Sequence, residues 1–150
     1  MISEFLLHVI CPFMGTLGYA VLYNIPARFY LSCGITGTFG WLTYLLLVDV
    51  TSPAIASFFG ALVVTLMARF LTVKLRCPII IFLISAIFPL VPGAGIYNTV
   101  YHMVLNDYSQ ALYYGMTALK VAFAIAMGIA FILPIPRAVF FRIWNKKSKR

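Results

Sequence analysis

Most charged side chains in this chain sit at the seams between long apolar runs. Only 9% of its 150 residues are Asp, Glu, Lys or Arg, and 63% are hydrophobic. A soluble domain carries about 25% charged residues, so this chain lacks the polar surface to fold in water. A helix of about 20 apolar residues crosses the hydrocarbon core, and a chain of this length holds roughly five such crossings. The sequence therefore predicts an all-α integral membrane protein. Its expected form is a five-helix transmembrane bundle over residues 1–136, followed by a basic cytoplasmic tail at 137–150.

Span one is expected from about Ser3 to Tyr23, ending in the turn Asn24-Ile25-Pro26-Ala27-Arg28. Glu4 stands where a secretory signal carries lysine or arginine, and no small-x-small cleavage site follows, so this run reads as a retained span. Span two covers about Phe29 to Val48, and its Gly34, Gly37 and Gly40 form a smooth stripe for close helix packing. Thr51-Ser52-Pro53 is a helix start, with a hydroxyl to cap exposed amides and Pro where its missing N–H costs nothing. Span three then reaches about Thr72 and meets a cationic turn with Arg69, Lys74 and Arg76. The last span leaves the polar turn Asn106-Asp107-Tyr108-Ser109 and runs to about Leu133, where Pro134 and Pro136 stop it. Ala122, Ala126 and Ala130 form a second small-residue stripe along it.

The stretch Pro78 to Leu105 departs from this regularity, since Pro89, Pro92, Gly93 and Gly95 fall in its middle. Each half supplies roughly 17–18 Å of helix, too little for a ~30 Å core. It therefore reads as a fourth helix broken into two half-helices around an unwound link. Irregular backbone at that depth persists where it lines a cavity or packs on protein. A half-helix beginning near Gly95 aims free N–H groups and a positive dipole end into the membrane, where they favour an anion. Pro92, Gly93 and Gly95 are thus candidate substrate contacts, with Tyr97, Asn98 and Tyr101 following on the emerging half-helix.

Charge placement sets the orientation, because Lys and Arg collect on the cytoplasmic side of short loops. With the N-terminus outside, five crossings put Arg28, the Arg69/Lys74/Arg76 turn and the C-terminal tail inside. Glu4, Asp49 and Asp107 then fall outside. Lys120 escapes the pattern, 11 residues after Ser109 and 13 before Leu133, near the bilayer midplane. Such a cation is expected to face the bundle interior, a partner helix or a watery cavity. It serves either as a structural pair for backbone carbonyls or a partner's acid, or as a cation that attracts a substrate carboxylate or carries a proton. The second reading makes Lys120 a candidate site residue, together with Thr117 on its helical face, which also carries Tyr113, Met116, Ala124 and Met127.

Other chemistries fit poorly. The net charge of +8 belongs to membrane topology and not to a nucleic-acid surface. Cys11, Cys33 and Cys77 match no ligand spacing and read as small apolar residues. Gly93-x-Gly95 lacks the third glycine and the βαβ unit of a dinucleotide site. His8 and His102 read as isolated interfacial side chains. No triad or carboxylate pair suggests an enzyme, and no cofactor or metal is expected.

The segment Phe88-Pro89-Leu90-Val91-Pro92-Gly93-Ala94-Gly95-Ile96-Tyr97, preceded by Tyr23-Asn24-Ile25-Pro26, resembles the threonine/serine exporter (ThrE) family. The likeness extends over essentially the whole chain and is greatest to the small subunit of the split, two-component members. It implies a bacterial cytoplasmic (inner) membrane location and a larger subunit as partner. It also implies proton-coupled export of small carboxylate-bearing metabolites, threonine and serine first and dicarboxylates such as succinate among split relatives. The family motif reaches Pro92, Gly93 and Tyr97 but not Lys120. The chain holds no buried acid or midplane histidine for a proton relay, which places coupling residues on the partner. A scaffold subunit that stabilises a partner carrying the whole path is the alternative, and a small bundle also leaves surface for homo-oligomerisation.

Overall fold

The computed structural model describes residues 2–135, with side chains from residue 6 onward. Among them every regular element is helical. The order is α1 (Ile2–Leu22), a 3₁₀ turn (Ala27–Phe29), α2 (Tyr30–Val48), α3 (Pro53–Leu75), α4 (Ile80–Ile87) with a 3₁₀ extension (Phe88–Leu90), α5 (Gly93–Val104) and α6 (Tyr108–Ile132). The basic tail expected at 137–150 lies outside the described residues.

Among the described residues, three helices are long and apolar enough to cross a membrane: Ala27–Val48, Pro53–Leu75 and Tyr108–Ile132. The pair Ile80–Leu90 and Gly93–Val104 makes a fourth if it is one span, bent by 51° at its break. The expected broken helix is therefore present. The apolar part of α1, Leu6–Leu22, is shorter than these spans.

Local chemistry explains where the helices begin and end. Asn24 takes a left-handed conformation (φ 54°) after α1, and the Ile25 amide donates back to the Ala20 carbonyl at 3.0 Å. This is the C-terminal cap in which a residue at positive φ turns the chain and the next one packs on the helix. Ile25 and Ala20 accordingly share a buried cluster with Phe29, Cys33, Ala68 and Phe82, and the Phe29 and Phe82 rings meet edge to face at 5.7 Å. Pro26 then prevents helix continuation. Asn24→Val is expected to destabilise the fold by about 1–2 kcal/mol, because a β-branched residue resists that conformation, whereas Asn24→Gly keeps it. Thermal melting in detergent distinguishes the two.

Ser52 caps α3 as expected, accepting from the Ile55 amide at 3.4 Å with Pro53 in the first turn. Asp107 caps α6, accepting from the Gln110 amide at 3.3 Å and from the Ser109 hydroxyl at 2.9 Å. The Ser109 hydroxyl and then the Gln110 amide hold its carboxyl below the usual carboxylate range.

At the centre of the bundle, α3 packs between α2 and α6, α1 lies on α2, and α4 lies across α2 and α3. The glycine stripe of α2 serves this packing. A Cβ on Gly34 would strike the Phe13 ring, one on Gly37 the Thr16 side chain and one on Gly40 the Val64 side chain. Buried Thr16, Thr65 and Ser57 each donate to the carbonyl four residues back at 2.7 Å, so these polar side chains need no water. The outer surface is apolar, with Leu46 78% and Leu22 73% exposed, as suits a lipid-facing wall.

One expectation needs correction. Arg69 is not in a turn: α3 continues past Thr72 to Leu75, and Arg69 is buried within it. Its guanidinium donates to the Leu133 carbonyl at the end of α6, where the free carbonyls and negative dipole end favour a cation. Ala122, Ala126 and Ala130 are exposed on α6, so that small-residue stripe is open to a neighbouring helix.

Candidate functional site

The break between α4 and α5 follows from its prolines. Pro89 sits in the 3₁₀ turn, and Val91, directly before Pro92, adopts an extended conformation at ψ 131°, the backbone state imposed on a residue that precedes proline. Helix resumes at Gly93, whose amide donates to the Val91 carbonyl at 2.7 Å. The amides of Ala94 and Gly95 have no intrahelical acceptor by helix geometry, and no side chain caps this end. Two donors and the positive end of α5 are thus available at the break.

That break lines a cavity of about 280 Å³. Pro89 to Gly95 form one wall, Trp41 and Tyr44 of α2 and Pro53 and Ser57 of α3 another, and Thr117, Ala118 and Val121 of α6 a third. Trp41 and Tyr44 stack at 5.3 Å. The Thr117 hydroxyl donates to the Tyr113 carbonyl at 2.9 Å and that of Ser57 to the Pro53 carbonyl, which leaves their oxygen lone pairs to accept. No Asp, Glu, Lys, Arg or His lines the cavity among the described residues. The site thus offers donors at one helix end, hydroxyl acceptors opposite and aromatic faces between.

A second cavity of about 390 Å³ lies between α1, α2 and the break, lined in part by His8, Cys11 and Gly15. Trp41 and Pro89 line both cavities and so form their common wall. His102 stacks on Tyr114 at 5.4 Å, with Nδ1 3.8 Å from the Asp107 carboxylate.

Of the residues predicted from sequence, Pro92, Gly93, Gly95 and Thr117 come together in the first cavity. Gly95 also has a packing role, since a Cβ there would sit 3.2 Å from that of Ala118. Tyr97 and Tyr101 stack on each other at 6.1 Å on the exposed side of α5, and Asn98 is half-buried; none of the three lines the cavity. Lys120 is exposed. The expectation that it faces the interior of this bundle or its cavity is not met, because α6 buries Ala118, Val121, Ile125 and Gly128 and turns Lys120 away from them. Trp41, Tyr44 and Ser57 are the lining residues that sequence reasoning missed. They lie in ordinary apolar spans, where an aromatic or a serine looks the same whether it packs or lines a cavity.

Comparison with known proteins agrees with the likeness in the break motif. The sequence model of the family described as threonine/serine exporter, ThrE, matches residues 8–135. An uncharacterized protein of Haemophilus influenzae is 28% identical over 130 residues, a match that covers 83% of this chain and 44% of the relative. The chain thus spans less than half the length of that relative. No solved structure matches. With most of its length matched and a helical fold of several apolar spans, the chain belongs to the threonine/serine exporter family of multi-pass membrane transporters.

Proposed function

We propose that this chain is a small subunit of a secondary exporter for threonine and serine, with the cavity at the α4/α5 break as its substrate site. The carrying observation is that this cavity has an uncapped helix N-terminus and hydroxyls but no charged side chain. An amino acid zwitterion brings both charges itself. Its carboxylate meets the Ala94 and Gly95 amides and the dipole of α5, and its ammonium meets the Trp41 and Tyr44 faces. The side-chain hydroxyl of threonine or serine has Ser57 and Thr117 as partners. A dicarboxylate such as succinate finds no cation in the lining for its second charge, so the site favours the amino acids.

A larger partner subunit completes the exporter. More than half of the Haemophilus influenzae relative lies outside the match, which supports a second half that is supplied here by another chain. Tyr97, Asn98 and Tyr101 then meet the path, or the partner, along α5. Five crossings with the N-terminus outside in a bacterial inner membrane are supported by the grouping of Arg28, Lys74 and Arg76 at one end of the bundle and Asp49 and Asp107 at the other. Proton coupling fits an export reaction, and its acidic group belongs on the partner.

Counterflow in liposomes that contain this chain and the larger subunit tests the reading. Radiolabelled threonine and serine are expected to exchange at least tenfold faster than succinate. Faster exchange of succinate overturns the substrate assignment, and full activity from the larger subunit alone makes this chain a scaffold.

A further inference from the structure

Lys120 stands in the middle of an apolar flank. It is 13 residues beyond the Asp107 cap and 12 before Ile132, the last residue of α6, so it lies roughly 18–20 Å from either end. On the same helical face are Tyr113, Met116, Phe123 and Met127, of which Phe123 is 71% exposed. Lys120 has no partner among the described residues. A lysine stem reaches about 6 Å along an apolar surface, far short of either helix end. Hydrocarbon is therefore a costly cover for this flank, because it leaves the ammonium without a partner.

The geometry points to this flank as the docking face of a second, different membrane chain that places an Asp or Glu side chain at mid-bilayer opposite Lys120. The inference rests on the two-component reading above and assigns the surface through which the two components meet. A second copy of this chain does not satisfy the lysine. Copies related by rotation about the membrane normal keep each residue at its own depth. The chain owns three acids, Glu4, Asp49 and Asp107. Asp49 and Asp107 stand at the ends of α2 and α6, and Glu4 lies close to the start of α1. Lipid headgroups are also confined to the edges of the bilayer.

A photo-crosslinking side chain placed at Phe123 of the full chain, in its native membrane, tests this. Mass spectrometry is expected to recover a peptide of a different chain with an Asp or Glu inside an apolar membrane segment. Lys120→Glu should cut that product at least tenfold and Lys120→Arg less than twofold. Changing the identified partner acid to Lys should restore the product with Lys120→Glu, which also shows that this variant folds. Crosslinks confined to lipid, to a second copy of this chain or to a segment without a carboxylate overturn the inference, as does a yield indifferent to Lys120→Glu. The readout is assembly, so it stands apart from export. A complex that crosslinks as expected but moves no threonine contradicts the substrate reading and leaves this interface in place.

Discussion

Gly93→Leu is expected to reduce threonine export at least tenfold while the protein melts at an unchanged temperature. A Cβ at Gly93 meets no heavy atom within 4 Å, so a side chain can start there without a clash, and Gly93 lines the cavity. Leucine there occupies space that the substrate needs beside the Ala94 and Gly95 amides. Gly93 is the first residue of α5, where a side chain does not disturb the hydrogen bonds of later turns. Tenfold corresponds to about 1.4 kcal/mol in the transport barrier, a modest demand on a group that blocks the site. Gly93→Ala, which adds a single methyl group, should retain most activity. Counterflow and melting curves measured on the same preparations separate loss of the site from loss of fold.

The opposite outcome is expected at Gly128, where α6 crosses α3. A Cβ there would lie 2.8 Å from the Phe58 carbonyl oxygen and 2.9 Å from the Ala61 Cβ. The first of these is backbone, which cannot swing aside, so the two helices must separate. Overpacking of this kind costs about 1–3 kcal/mol, which amounts to several degrees in Tm for a chain of this size. Gly128→Leu should cost more and prevent assembly. Gly18, where a Cβ would meet nothing within 4 Å, is the control: Gly18→Ala should leave the Tm unchanged.

The sequence made the helices, their caps and the break legible because each depends on local chemistry. Pro89, Pro92 and Gly93 interrupt hydrogen bonding wherever they occur in an apolar run, and Ser52-Pro53 starts a helix by its own geometry. The stripe Gly34, Gly37 and Gly40 was readable for the same reason, since small residues one turn apart serve one purpose in lipid. Long-range placement was not readable. Arg69 is buried within α3 with its guanidinium on the carbonyl of Leu133, 64 residues away, a contact that no local pattern announces. Likewise, the face that Lys120 presents is set by which side of α6 packs on α3. Hydropathy cannot decide this, because lipid-facing and buried faces are both apolar. Trp41 and Ser57 join Thr117 in one cavity through tertiary packing alone.

The central claim is that the interrupted helix opens a cavity in which threonine binds. Its most direct measurement uses Gly93→Cys in a chain whose Cys11, Cys33 and Cys77 are replaced by alanine, reconstituted with the larger subunit. The rate at which a small, membrane-impermeant thiol reagent labels position 93 is followed with and without saturating threonine. The account predicts labelling that threonine slows at least fivefold and that succinate leaves nearly unchanged. Labelling at the same rate with threonine present, or no labelling from either side of the membrane, would contradict it.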